Sequence, residues 1–96
     1  MTANAPADDV RYVVQFTGHV QGVGFRVNAI HQARGLDVHG WVRNEPDGSV
    51  LLDAEGSKLV MEELLAKIRK SMAAKIQTAD VQISSPLGRN DGFRIK

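Results

Sequence analysis

The chain has 96 residues, 43% of them apolar and 24% charged, a balance that supplies one modest hydrophobic core and excludes an intrinsically disordered chain. It contains no cysteine, which excludes disulfides, thiolate nucleophiles and cysteine-held zinc or iron–sulfur clusters, and fits a reducing compartment. The formal net charge of +1 is too small for bulk attraction to a polyanion, so an anionic ligand would need a local site.

The first nine residues, MTANAPADD, have neither a basic start nor an apolar segment. They read as a flexible tail rather than a secretion signal, ahead of a single domain over residues 10–96. No apolar run approaches the ~18 residues of a membrane helix, and the expected location is the cytoplasm. In VRYVVQFT, residues 10–17, Val10, Tyr12, Val14 and Phe16 share one face, the period of a half-buried strand. Residues 26–34 read as a helix with Val27, Ala29, Ile30 and Ala33 on its apolar side and Gly35 placed to end it. Alternation resumes from Val38 to Asn44 and continues in Val50, Leu52 and Ala54. Between them, Pro46 and Gly48 suit the second and fourth positions of a type I turn, so this is a hairpin. Ser57 is placed to cap a second helix whose stripe is Val60, Met61, Leu64, Leu65, Ile68 and Met72. Val81 and Ile83 mark a fourth strand, and Phe93 and Ile95 a short additional C-terminal one. The order βαββαβ, with one apolar face per strand, predicts an α+β ferredoxin-like sandwich: an antiparallel sheet carrying both helices on one face.

The stretch GHVQGVGFR, Gly18 to Arg26, joins the first strand to the first helix. Its glycines open backbone conformations closed to other residues and bare the amides, at a helix start whose dipole favours negative charge. Arg26 adds a fork of donors matched to phosphate or carboxylate oxygens. The implied ligand is a small anion. A Walker loop would end Gly-Lys-Ser/Thr and a dinucleotide fingerprint would carry glycine where Val27 stands, so neither pattern applies. A tight strand-to-helix connection is the purely structural alternative.

GHVQGVGFR, together with GWVRNEPDGSV at residues 40–50, resembles the signature pair of the acylphosphatase family, and the likeness in element order runs from Val10 to Ile95. The resemblance implies metal-independent hydrolysis of the carboxyl–phosphate bond of small acyl phosphates to carboxylate and inorganic phosphate, on a ferredoxin-like fold and without a cofactor. It also implies a phosphate cradle over His19, Val20, Gln21, Gly22, Val23 and Gly24, a catalytic phosphate-binding Arg26, and an Asn44 that orients the attacking water. Inorganic phosphate would then be product and competitive inhibitor, and the protein a monomer. Val27, Leu51 and the SMAAKIQTADV segment depart from the family's usual aromatic, acidic and Gly-Pro positions, all outside the cradle.

Asn44 read alone also suits a turn former, and so do Asp47 and Gly48. His19, His31 and His39 lack metal-ligand spacing, and no metal is expected. Two other readings share the topology. One is a non-catalytic anion-binding module; the other is an RNA-binding sheet, for which alternation leaves only Trp41 as an aromatic on the open face. Neither a nucleic acid nor a membrane is an expected partner.

Overall fold

The computed structural model describes residues 8–96. The tail expected over residues 1–9 lies outside them except for Asp8 and Asp9, and Asp9 already opens the first strand. The elements are β1 (Asp9–Gly18), α1 (Phe25–Ala33), β2 (His39–Asn44), β3 (Val50–Ser57), α2 (Lys58–Ser71), β4 (Ile76–Ser84) and β5 (Phe93–Ile95). They form an α+β ferredoxin-like fold with one five-stranded sheet ordered β4-β1-β3-β2-β5. No helix among the described residues is long and apolar enough to cross a membrane.

Strand alternation sets the core. Tyr12, Val14 and Phe16 of β1, Val42 of β2, and Val50, Leu52 and Ala54 of β3 are buried on the face that carries the helices. Met61, Leu64, Leu65 and Ile68 of α2 and Phe25, Ala29 and Ala33 of α1 close over them. Ser57 caps α2 as expected, its hydroxyl accepting from the Val60 amide at 3.2 Å. Pro46 and Gly48 make the expected turn, closed by the Gly48 amide donating to Glu45 O at 3.1 Å.

The structure differs from the expectation in three places. The four long strands pair antiparallel, but β5 adds to β2 in parallel, so the sheet is mixed. A three-residue strand has no pattern from which direction could be read. In α1 the inward residues are Phe25, Ala29 and Ala33, and Val27 is 54% exposed, because two residues of helix turn a side chain about 200° away from its neighbour. Ile83 is 69% exposed even though it shares the inward face of β4, since β4 is an edge strand.

The face without helices is not bare. Asp53 takes a two-pronged hydrogen bond from Arg11, at 2.9 and 2.8 Å, and one from Arg89 at 2.7 Å. Glu55 accepts from Arg89 Nε at 2.6 Å and from the amides of Leu87, Gly88 and Arg89. Residues 87–89 are thereby strapped across the sheet.

Candidate active site

Three strand ends and one helix start define the site. Asn44 pairs with Val50, and Val50 with Phe16, so the final inward positions of β2, β3 and β1 lie in one row. Two strand steps, about 10 Å, separate Asn44 from Phe16. Asn44 follows Gly40 and Val42 on the helix-covered face, a polar side chain where the alternation calls for an apolar one.

The loop from β1 returns over this row. Phe25 anchors it, its ring 4.9 Å from that of Phe16 at an interplanar angle of 52°. Gly24 is the N-cap of α1 at φ 78° and, lacking a side chain, leaves the helix start uncapped. Gly22 is also left-handed, at φ 75°. A Cβ at either glycine would meet nothing within 4 Å, so both are required by backbone conformation rather than by space. Gly18 is different: at φ 121° a Cβ would lie 2.5 Å from Lys75 O. That close approach seats the start of the loop against the segment between α2 and β4.

Among the described residues, the backbone N–H groups of Val20 to Val27 donate to no protein acceptor. The first bond of α1 is Asn28 N–H to Gly24 O at 2.9 Å. A cavity of about 150 Å³ opens beside these amides, lined by Val20, Gly22, Gly24, Phe25, Arg26, Val27, Asn44 and Ile95. Arg26, partly buried in its wall, has no ion-pair partner among the described residues, unlike Arg11, Arg43, Arg89 and Arg94; Arg34 and Arg69 are also unpaired but lie exposed. Unspent amides, a helix N-terminus and an unpaired guanidinium at one opening are the groups that attract an anion.

The residues singled out in the sequence do not all meet there. Val20, Gly22, Gly24, Arg26 and Asn44 line the cavity. His19 does not: it is exposed, and its amide is committed to Lys75 O at 2.9 Å. The Val23 side chain packs against the core and Val23 does not line the cavity; the side chain of Val20, which does, is buried. The Gln21 side chain leaves the cavity altogether. Its Nε2 donates to Glu45 O at 2.7 Å and Ser49 O at 2.8 Å, bolting the loop to the hairpin beside Asn44. The hairpin is braced in turn by Asp47, whose Oδ1 accepts from the Ser49 amide at 2.9 Å and hydroxyl at 2.6 Å. Those two bonds hold the Asp47 carboxyl below its usual range. No sequence pattern isolates this Gln21 contact, because its acceptors are carbonyls 24 and 28 residues away. Ile95 is likewise brought in by the unread parallel pairing of β5.

Larger cavities lie elsewhere. One of about 750 Å³ sits at the other end of the strands, around His39, Glu55 and Arg89, where the charged groups already satisfy one another. No group of three or more His, Asp or Glu side chains that could hold a metal ion occurs among the described residues.

The Acylphosphatase family model matches residues 12–95. A Salinibacter ruber acylphosphatase is 45% identical over 87 residues, covering 90% of this chain and 92% of that protein. A Bifidobacterium longum acylphosphatase is 42% identical over 92 residues, covering 92% and 95%. The crystal structure of acylphosphatase from Bacillus subtilis superposes with a TM-score of 0.82 at 31% identity, covering 91% of this chain and 98% of that one.

Proposed function

The chain belongs to the acylphosphatase family and is an enzyme of that activity, and we propose that it performs the hydrolysis with Arg26, Asn44 and the amides of the Val20–Arg26 loop, without a metal. The observation that carries this reading is the unpaired Arg26 guanidinium facing the same small cavity as Asn44 and the unspent amides.

In this reading the phosphoryl oxygens of a small acyl phosphate sit against the loop amides and Arg26, which offset their charge as it spreads in the transition state. Asn44 both accepts and donates, so its amide can hold a water in line with the bond to be broken. The water oxygen forms a bond to phosphorus while the bond from phosphorus to the acyl oxygen breaks. The bonding pair leaves with the carboxylate, and a water proton passes to a phosphoryl oxygen, giving carboxylate and inorganic phosphate. The departing carboxylate, with a conjugate acid of pKa about 4, needs no proton at neutral pH. A loose, metaphosphate-like transition state asks little of the nucleophile, so no strong general base is required.

The protein then acts as a cytoplasmic monomer on a small molecule, with inorganic phosphate as competitive inhibitor. Two features support a small molecule over a nucleic acid. The net charge is +1, and the Trp41 ring already carries Arg43 and Lys96, at 4.7 and 4.5 Å from its centroid.

The test is benzoyl phosphate hydrolysis by wild type and Arg26→Ala, with EDTA present. Turnover that inorganic phosphate inhibits competitively, and that falls about a thousandfold or more in Arg26→Ala, is the expected result. A folded wild type inactive until a divalent cation is added would contradict the metal-free scheme.

A further inference from the structure

The cavity has two chemically distinct walls. One is polar, made of Gly22, Gly24, Arg26 and Asn44; the other carries the side chains of Val27 and Ile95. Both are large apolar residues left exposed, Val27 at 54% and Ile95 at 42%. They come from different elements. Val27 stands on the first turn of α1, on the side turned away from Phe25 and Ala29. Ile95 is brought in by the parallel pairing of β5, which sets it beside Val42 and is closed by the Lys96 amide donating to Val42 O at 2.9 Å. Neither side chain completes the core, yet both line the opening that also holds Arg26, which has no ion-pair partner among the described residues.

A cavity of about 150 Å³ is small beside the roughly 300–1,000 Å³ of pockets that enclose drug-sized ligands. It has room for a phosphoryl group and little more, so an acyl chain must leave over the rim. Resting on the function proposed above, we infer that Val27 and Ile95 form the acyl-group contact, and that the enzyme selects acyl phosphates with apolar acyl groups over those with short or charged ones. Val27 and Ile95 supply apolar surface that gains from covering an apolar chain and does not compensate a charged one for lost water.

The test is kcat/KM for acetyl, butyryl, hexanoyl and succinyl phosphate, in wild type and in Val27→Ser and Ile95→Ser. The expected result is a rise of about tenfold or more from acetyl to hexanoyl phosphate in wild type, with succinyl phosphate no better than acetyl. Each variant should cut the hexanoyl-to-acetyl ratio by about threefold or more. Equal kcat/KM across the four substrates in wild type would overturn the inference without any variant being made. So would a ratio retained in both variants. A wild type that hydrolyses none of the four would instead sink the function on which the inference rests.

Discussion

Arg26 and Asn44 reach one cavity from two elements that the strand order brings together and a single side chain braces. Gln21 spans from the loop before Arg26 to the Glu45 and Ser49 carbonyls beside Asn44. Gln21→Ala should therefore lower kcat by about tenfold to a hundredfold, with a smaller change in the inhibition constant of inorganic phosphate, as steady-state kinetics would show. A change confined to stability would assign Gln21 to folding alone. Gly40 tests backbone packing in the same way. At φ 145°, a Cβ there would stand 2.0 Å from Asp53 O on the neighbouring strand. Gly40→Ala should destabilise by about 3 kcal/mol or more in urea titrations, while Gly24→Ala, strained but unobstructed, should cost about 1 kcal/mol. At this scale the sequence was legible where chemistry is local: three glycines and an arginine imply an anion, whereas Asn44 read alone also suits a turn former and is singled out only by the family resemblance. The side-chain directions of Gln21 and Val23 were not legible, because the first is set by carbonyls distant in the chain and the second by the core it packs against.

The strands carry a charge network whose pH dependence has a definite sign. Burial raises the Asp53 carboxyl, but the hydrogen bonds from Arg11 and Arg89 outweigh it, and Asp53 lies below its ordinary value. Glu55 behaves alike: burial raises it, but the hydrogen bonds from the Arg89 side chain and the Gly88, Leu87 and Arg89 amides outweigh that and hold it below its ordinary value. In the folded chain both carboxyls bind protons more weakly than in the unfolded chain. Their stabilisation is complete above the unfolded values of about 4, and is lost as pH falls through the lower folded values. Urea midpoints should stay level from neutrality to about pH 5 and decline steeply below pH 4, and Asp53→Asn should lower the neutral midpoint and flatten that decline. A wild-type midpoint constant down to pH 2 would contradict the network's role. The hairpin and α2 could be read from alternation, turn residues and a helical stripe. The strap of residues 87–89 could not, since its order comes from Glu55 and Asp53 more than thirty residues away, with no periodicity of its own.

At the scale of the whole molecule, the strand order is what assembles the site. With β3 between β1 and β2, the strand ends Phe16, Val50 and Asn44 stand in one row, and α1 begins directly over it. The βαββαβ pattern predicts this sandwich because two amphipathic helices need one shared apolar face. The direction of β5, and with it the place of Ile95, depends on edge pairing that a three-residue strand does not encode. If the proposed site binds phosphate, inorganic phosphate at tenfold its Kd should raise Tm by about 5–10 °C in wild type and Asn44→Ala. In Arg26→Ala the shift should vanish. The most direct measurement of the central claim takes Asn44→Ala, with EDTA present, through both benzoyl phosphate turnover and inorganic phosphate binding. The expected result is kcat reduced by about a hundredfold or more with phosphate affinity within about threefold of wild type. Full turnover in the folded variant would contradict it.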